Sequence, residues 1–234
     1  MNYAVLLAGG TGTRMKAHSI PKQFLEIGGE PILKLTVDKF LSCPNIDHII
    51  VAAPTTWMSH TNDILCDERF RNIHICEGGA TRQESLYKAV KYIEVIFETN
   101  DNDIIISHDV ARPFVSLRVI EENIRLIKQY DAVDTVIPAT DTIVESKDKI
   151  LISKIPDRRN MYQGQTPQTF KRKKYLEIYE SLDNKYLETV SDAAKILVEH
   201  NCSVGIVLGD VFNIKITTEY DLRIANFLLE ENYD

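Results

Sequence analysis

The chain has 234 residues, with 27 Lys+Arg against 34 Asp+Glu, a formal net charge of −7 at pH 7 and 44% hydrophobic residues. These proportions fit an ordinary globular protein, and the acidic balance argues against broad nucleic-acid binding, which needs an excess of basic residues on one face. No run of about 18 apolar residues offers a membrane helix, and the apolar start ends in glycines without a basic leader, so the expectation is a cytoplasmic chain.

Residues 2–8 (NYAVLLA) form a short apolar run that stops at glycines, the pattern of a buried strand. Pro31 then opens a helical segment in which Leu33, Val37, Phe40 and Leu41 share a face. Residues 48–53 and 72–76 are the next strands. From 82 to 98, Leu86, Ala89, Val90, Ile93 and Phe97 recur at amphipathic helical spacing. A strand over 103–107 and a helix over 117–129, with Ile120, Ile124 and Ile127 on one face, complete an alternation that predicts βαβ units and a mainly parallel sheet.

After about residue 130 the pattern changes. Residues 132–138, 142–146 and 149–155 are short β-prone pieces with no helix between them, which predicts an antiparallel arm inserted over 138–165. Helices are expected at 171–182 and 190–200, strands at 203–208 and 212–217, and a last helix at 219–231. With no linker and no repeat, residues 1–234 read as one domain. Cys43, Cys66, Cys76 and Cys202 show neither a disulfide nor a zinc spacing and read as reduced, mostly buried thiols.

Chemistry concentrates in the loop Leu7-Ala8-Gly9-Gly10-Thr11-Gly12-Thr13-Arg14-Met15 and the following Ile20-Pro21-Lys22-Gln23. Glycines after a first parallel strand let backbone N–H groups approach phosphate oxygens. The loop is not a P-loop, because Gly12 is followed by Thr13-Arg14 rather than Lys-Ser or Lys-Thr. A dinucleotide fingerprint would need a glycine at Met15 and an acidic end to the second strand, which instead reads Val51-Ala52-Ala53-Pro54. Two positive side chains, Arg14 and, eight residues on, Lys22, suit a triphosphate attacked at its α-phosphorus. A tight turn with two solvated basic residues is the structural alternative.

Further motifs follow in order: Gly78-Gly79-Ala80-Thr81-Arg82, His108-Asp109-Val110-Ala111-Arg112-Pro113, Asp141-Thr142, Arg158, Gln165-Thr166-Pro167-Gln168 and Asn213-Ile214-Lys215. With L-A-G-G-T-G-T-R-M…P-K-Q-F, this series resembles the cytidylyltransferases that act on methylerythritol phosphate and ribitol phosphate, and the resemblance covers essentially the whole chain. It implies a Rossmann-like α/β nucleotidyltransferase fold with helices on both faces of the sheet. It also implies CTP and a polyol phosphate as substrates, Mg²⁺ as cofactor, and a homodimer in which each arm reaches the neighbouring subunit's site.

The residue roles implied are as follows. Leu7, Ala8, Gly9, Gly10 and Thr11, with Gly79, Ala80, Arg82, Ser85, Asp109 and Val110, hold the nucleotide, and Asp109 also contacts the metal. Thr142, Arg158, Thr166 and Lys215 hold the acceptor, while Arg14, Lys22, Arg158 and Lys215 form the catalytic set. No general base is required, because a phosphate monoester with a second pKa of about 6 is already anionic at neutral pH. His108 reads as structural, and an Asp109–Arg112 ion pair is expected to fix its loop. Local spelling at Lys22-Gln23-Phe24, 132–136, 141–146 and 162–168 looks like the ribitol branch. The expected reaction is therefore CTP plus ribitol 5-phosphate giving CDP-ribitol for teichoic-acid-like polymers, with a possible reductase partner. The methylerythritol-phosphate enzyme of isoprenoid synthesis is the alternative, and a dehydrogenase or a non-catalytic nucleotide-binding subunit is more remote.

Overall fold

The computed structural model describes residues 1–9, 20–190 and 192–230. Strand β1 (Asn2–Leu7) is followed by a two-stranded hairpin of β2 (Glu26–Ile27) and β3 (Glu30–Pro31), which leads into α1 (Ile32–Leu41). Next come β4 (His48–Ala53), α2 (Met58–Ile64), β5 (Ile73–Glu77), α3 (Arg82–Ile96), β6 (Ile104–Asp109) and α4 (Leu117–Leu126). The second half contains β7 (Ala132–Pro138), β8 (Tyr162–Lys171), α5 (Arg172–Ser181), α6 (Asn184–Thr189), α7 (Ala193–Glu199), β9 (Val204–Leu208) and α8 (Glu219–Glu230). Local chemistry sets several starts. The Thr81 hydroxyl accepts from Glu84 N at 3.1 Å and caps α3, and Ser116, Asp183 and Asp192 cap α4, α6 and α7 in the same way.

Seven strands form one sheet in the order β5-β4-β1-β6-β8-β7-β9. Among them β8 alone runs against its neighbours, so the expected α/β fold with a mainly parallel sheet is what the chain adopts. Because β4 and β6 flank β1 on opposite sides, the chain reverses its winding direction there. The carboxyl end of β1 is thus a topological switch point, where open α/β sheets form a crevice. Leu7 and Asp109 are register partners at that point.

Helices cover both faces of the sheet. One face packs Ala4, Leu6, Val51 and Ile106 against Val37 and Phe40 of α1, Ile120 of α4 and Ala225 of α8. The other packs Val5, Ile50 and Ile105 against Leu86 and Val90 of α3, Tyr175 of α5 and Ile196 of α7. A strand with both faces buried needs apolar residues at nearly every position, which is why β1 and β6 read as continuous apolar runs.

Three expectations are corrected. Residues 212–217 are not a strand, because their backbone bonds leave the ladder. Ile216 N donates to Ala111 O at 2.8 Å, and Asn213 Nδ2 donates to Thr166 O at 2.8 Å. Burial of Ile216 under a loop imitates the strand pattern. The arm pieces at 142–146 and 149–155 share a single bridge, Glu145 with Lys154, rather than a ladder. Asp148 accepts from the N–H groups of Ile150 and Leu151 and closes the turn, while Ile150 (84%) and Leu151 (70%) stand in solvent with no core to fix a register. The helix expected over 190–200 is preceded by a separate short helix, α6, and begins only at Ala193. Of the thiols, Cys43 and Cys76 are buried, Cys202 is half-buried and Cys66 is exposed.

Candidate active site

The carboxyl ends of β1 and β6, the start of α3 and two further loops form an open cleft. Leu7, Ala8, Gly9, Lys22, Gln23, Arg82, Asp109, Val110, Ala111 and Lys215 line it. Arg82 and Lys215, from distant parts of the chain, therefore meet around one carboxylate, and Lys22 lines the same cleft. Asp109 Oδ1 accepts from Arg82 Nε at 2.9 Å, and Oδ2 accepts from Lys215 Nζ at 2.6 Å. Burial alone would raise the Asp109 carboxyl, but Arg82 and then Lys215 outweigh it and hold it well below the usual carboxylate range. In return, Asp109 overcomes the cost of burying the Arg82 guanidinium and raises its pKa. The expected partner Arg112 is not used. Its Nη1 donates to Asn213 O at 2.6 Å, fastening the loop that carries Lys215.

Backbone and buried side chains fix this arrangement. Lys22 Nζ donates to Ile216 O at 3.0 Å, next to Lys215. Gln23, buried, donates from Nε2 to Ala8 O at 2.6 Å and ties the lysine-bearing turn to the end of β1. Thr36 Oγ1 donates to Val110 O at 2.7 Å from α1. Beneath Asp109 runs a short relay. Asp109 N donates to Thr166 Oγ1 at 3.2 Å, that hydroxyl donates to His108 Nδ1 at 3.0 Å, and His108 Nε2 donates to Arg112 O at 3.0 Å. A carbonyl acceptor at Nε2 and a hydroxyl donor at Nδ1 define a neutral imidazole. Burial lowers its pKa to about 4, so it stays uncharged at neutral pH.

The sequence-predicted residues divide accordingly. Leu7, Ala8, Gly9, Lys22, Arg82, Asp109, Val110 and Lys215 come together in the cleft. Arg14, Gly10 and Thr11 lie outside the described residues. Thr166 is under the floor, with its hydroxyl occupied by the relay. Gly79, Ala80 and Ser85 form a tight turn beside the cleft, in which Ser85 Oγ accepts from Gly79 N at 2.9 Å and Glu84 accepts from Ala80 N at 2.7 Å. A Cβ on Gly79 would fall 2.4 Å from Glu84 Cγ, so only glycine fits this approach. Arg158 and Thr142 belong to the arm and are exposed, with Arg158 Nη1 donating to Thr140 O at 2.7 Å. Gln23, Thr36 and Ala111 were given no role from the sequence. Gln23 stands beside Lys22 in the quoted motif, but nothing in a sequence shows that its amide reaches Ala8.

A second, wider groove opens against the first, and Lys215 lines both. Thr140, Gln163, Gly164, Leu208 and Arg112 are among its other walls. The cleft residues do not fit a metal held by the protein. Asp109 is the carboxylate of the lining, both of its oxygens accept from cations, and no group of three metal-ligating side chains occurs among the described residues. The cation cluster suits an anionic ligand of several charges. Among the described residues no helix is long and apolar enough to cross a membrane.

Comparison with known proteins gives concordant results. The sequence model of the 2-C-methyl-D-erythritol 4-phosphate cytidylyltransferase family matches residues 2–231. Among solved structures, the chain resembles the 4-diphosphocytidyl-2C-methyl-D-erythritol synthase of Anaerococcus prevotii, with 29% identity and a TM-score of 0.82 over 98% of this chain and 96% of that one. It also resembles the 2-C-methyl-D-erythritol 4-phosphate cytidylyltransferase of Francisella tularensis, with 31% identity and a TM-score of 0.78 over 97% and 98% of the two chains. The corresponding Thermus thermophilus enzyme gives 27% identity and a TM-score of 0.74 over 98% and 100%.

Proposed function

The chain belongs to the 2-C-methyl-D-erythritol 4-phosphate cytidylyltransferase family, and on that footing we propose that it transfers cytidylyl from CTP to 2-C-methyl-D-erythritol 4-phosphate. The ribitol acceptor expected from the sequence, and with it CDP-ribitol and teichoic-acid synthesis, is overturned by the family match and by the named acceptors of the structural relatives. The observation that carries the proposal is the family match over 2–231, which spans every residue of the Arg82–Asp109–Lys215 cluster.

The acceptor phosphate oxygen attacks the α-phosphorus of CTP, a new P–O bond forms, and the bond to the bridging oxygen breaks to release pyrophosphate. Negative charge grows on the α-phosphate oxygens and the leaving group, where fixed donors lower the barrier most. On this reading Lys22 and Arg82, both lining the cleft, serve the nucleotide. Lys215, shared between cleft and groove, is placed to hold acceptor phosphate and α-phosphate together, which lowers the entropic cost of bringing two anions into contact. A divalent cation would be held by the triphosphate oxygens and would neutralise their charge, since the described residues offer it no cage. The arm, with apolar side chains in solvent and Arg158 near its base, pairs with a second copy and brings Arg158 and Thr142 to the partner's groove. A cytoplasmic location goes with these soluble substrates.

The test measures pyrophosphate release from CTP with 2-C-methyl-D-erythritol 4-phosphate and, separately, with ribitol 5-phosphate. Release with the first acceptor is the expected result. Turnover with ribitol 5-phosphate alone would refute the proposal.

A further inference from the structure

Lys215 stands on a loop, residues 209–216, that leaves β9 and walls one side of the groove. Gly209 N makes its last backbone bond to β7, at Val136 O (2.9 Å). From there the loop is fastened to the one after β6 at three points, in reverse order. Asp210 Oδ2 accepts from Ser116 Oγ at 2.5 Å, Asn213 O accepts from Arg112 Nη1 at 2.6 Å, and Ile216 N donates to Ala111 O at 2.8 Å. The two loops therefore run antiparallel, with the Asp109–Lys215 ion pair at one end and Asp210 at the other. Arg118 of α4 completes that far end, its Nη2 donating to Asp210 Oδ1 at 2.6 Å and its Nη1 to Leu208 O at 3.1 Å. Inside the turn, Gln165 donates from Nε2 to Asp210 O at 2.9 Å and accepts on Oε1 from Asn213 Nδ2 at 3.2 Å. A Cβ on Gly209 would fall 2.2 Å from Gln165 Oε1, so the chain enters this turn on glycine.

The two ends of this loop pair are held differently. Ile216 is buried, whereas Val211 and Phe212 are exposed and bury little against a core. Polar bonds therefore keep the Asp210 end in place, and a segment with few buried apolar contacts opens locally at low cost. We infer that Asp210, clasped by Ser116 and Arg118, is a positioning residue for Lys215 and so sets the affinity for the acceptor phosphate. This rests on the cytidylyltransferase reading for the identity of the acceptor. Without the clasp the enzyme divides between forms with the loop in place and forms with it displaced. The acceptor binds the first, so its apparent affinity falls in proportion to the fraction in place. Saturating acceptor restores that form, and turnover is kept. Because the Asp210 and Arg118 side chains are partly exposed, their attraction bears on this local equilibrium far more than on the stability of the whole fold.

The experiment follows pyrophosphate release at saturating CTP while 2-C-methyl-D-erythritol 4-phosphate is varied, for wild type, Asp210→Ala, Asp210→Asn, Arg118→Ala and the Asp210→Ala/Arg118→Ala double variant. Asp210→Ala should raise the acceptor KM about three- to tenfold and leave kcat within about twofold. Asp210→Asn should recover part of the loss, because its amide oxygen still accepts from Ser116. The double variant should exceed Asp210→Ala by less than about twofold in KM, since both side chains belong to one clasp. Hydrogen exchange without substrates gives a second readout. The Asn213 and Ile216 amides, bonded to Asp210 O and Ala111 O, should exchange faster in Asp210→Ala, and those of β1 should not. A purely structural defect would remove active enzyme, lowering kcat with KM unchanged, and that result overturns the inference. So does an acceptor KM of Asp210→Ala within about twofold of wild type. Wild type inert with this acceptor refutes the proposed function instead, and exchange then decides the clasp: unaltered Asn213 and Ile216 amides overturn it.

Discussion

Replacing Asp109 with Asn removes the one negative charge that holds Arg82 and Lys215 side by side. Asn keeps an acceptor for Arg82 Nε, but its amide hydrogens then confront the Lys215 ammonium, now bonded at 2.6 Å. Breaking a buried ion pair from one side costs about 3–5 kcal/mol. The lower end applies here, because the Lys215 side chain is 36% exposed and water can reach it. For a chain of this size each kcal/mol moves the melting temperature by about 2–4 °C, so Asp109→Asn should melt about 6–12 °C lower at pH 7.5. A triphosphate supplies the missing negative charge, so saturating CTP should raise the melting temperature of the variant by more than that of wild type. The sign of the pH effect also follows. The folded carboxyl lies below its unfolded value, so its contribution is complete above about pH 4 and is lost as the pH falls through the folded pKa. The variant should therefore lose less stability than wild type on acidification. Melting of Asp109→Asn within about 1 °C of wild type at pH 7.5 would refute the view that this cluster is held together by its carboxylate.

Lys22→Ala should lower kcat by on the order of 100-fold, as expected on losing one preorganised donor; an unchanged kcat in the pyrophosphate assay would remove Lys22 from the catalytic set. If the arm completes the partner's site, co-expressed Arg158→Ala and Lys215→Ala chains should regain about a quarter of wild-type activity, because half of randomly paired dimers then contain one intact site. No recovery above the separate variants would place Arg158 in its own subunit's site or in none. His108 is buried and its pKa falls to about 4, below its unfolded value of about 6.5, so stability should rise with pH between those values, by about 3 kcal/mol, and add nothing above them. Denaturant titrations of wild type and His108→Asn should diverge in that window, and parallel curves would count against the relay.

Elements whose residues answer mainly to their immediate neighbours were legible in the sequence. β1, β4, α3 and β6 announce themselves because a strand buried on two faces or a helix buried on one needs a fixed apolar period. The site was legible as residue types but not as pairings. Arg112 stands three residues from Asp109 and was the obvious partner, yet Arg82 and Lys215 take that role from 27 and 106 residues away. Sequence distance says nothing about which loop faces which across a switch point. The acceptor was misread for a related reason. Two of the stretches that spelled the ribitol branch, 132–136 and 162–168, fall in β7 and β8. There Ala132, Val133 and Val136 pack in the core and Gln165 Nε2 donates to Asp210 O at 2.9 Å. Ala132, Val133 and Val136 report how the sheet packs rather than which polyol lies above it, and only Gln163, Gly164 and Gln165 of these stretches reach the groove.

The lysine of the second loop and the carbonyl it holds are 194 residues apart, Lys22 Nζ bonding Ile216 O. Contacts this distant in sequence close late in folding, since the entropy of a long loop is lost before its contacts repay it. A nucleotide that needs Lys22, Arg82 and Lys215 together binds only a chain in which this contact is closed, and by mass action it then stabilises the finished fold.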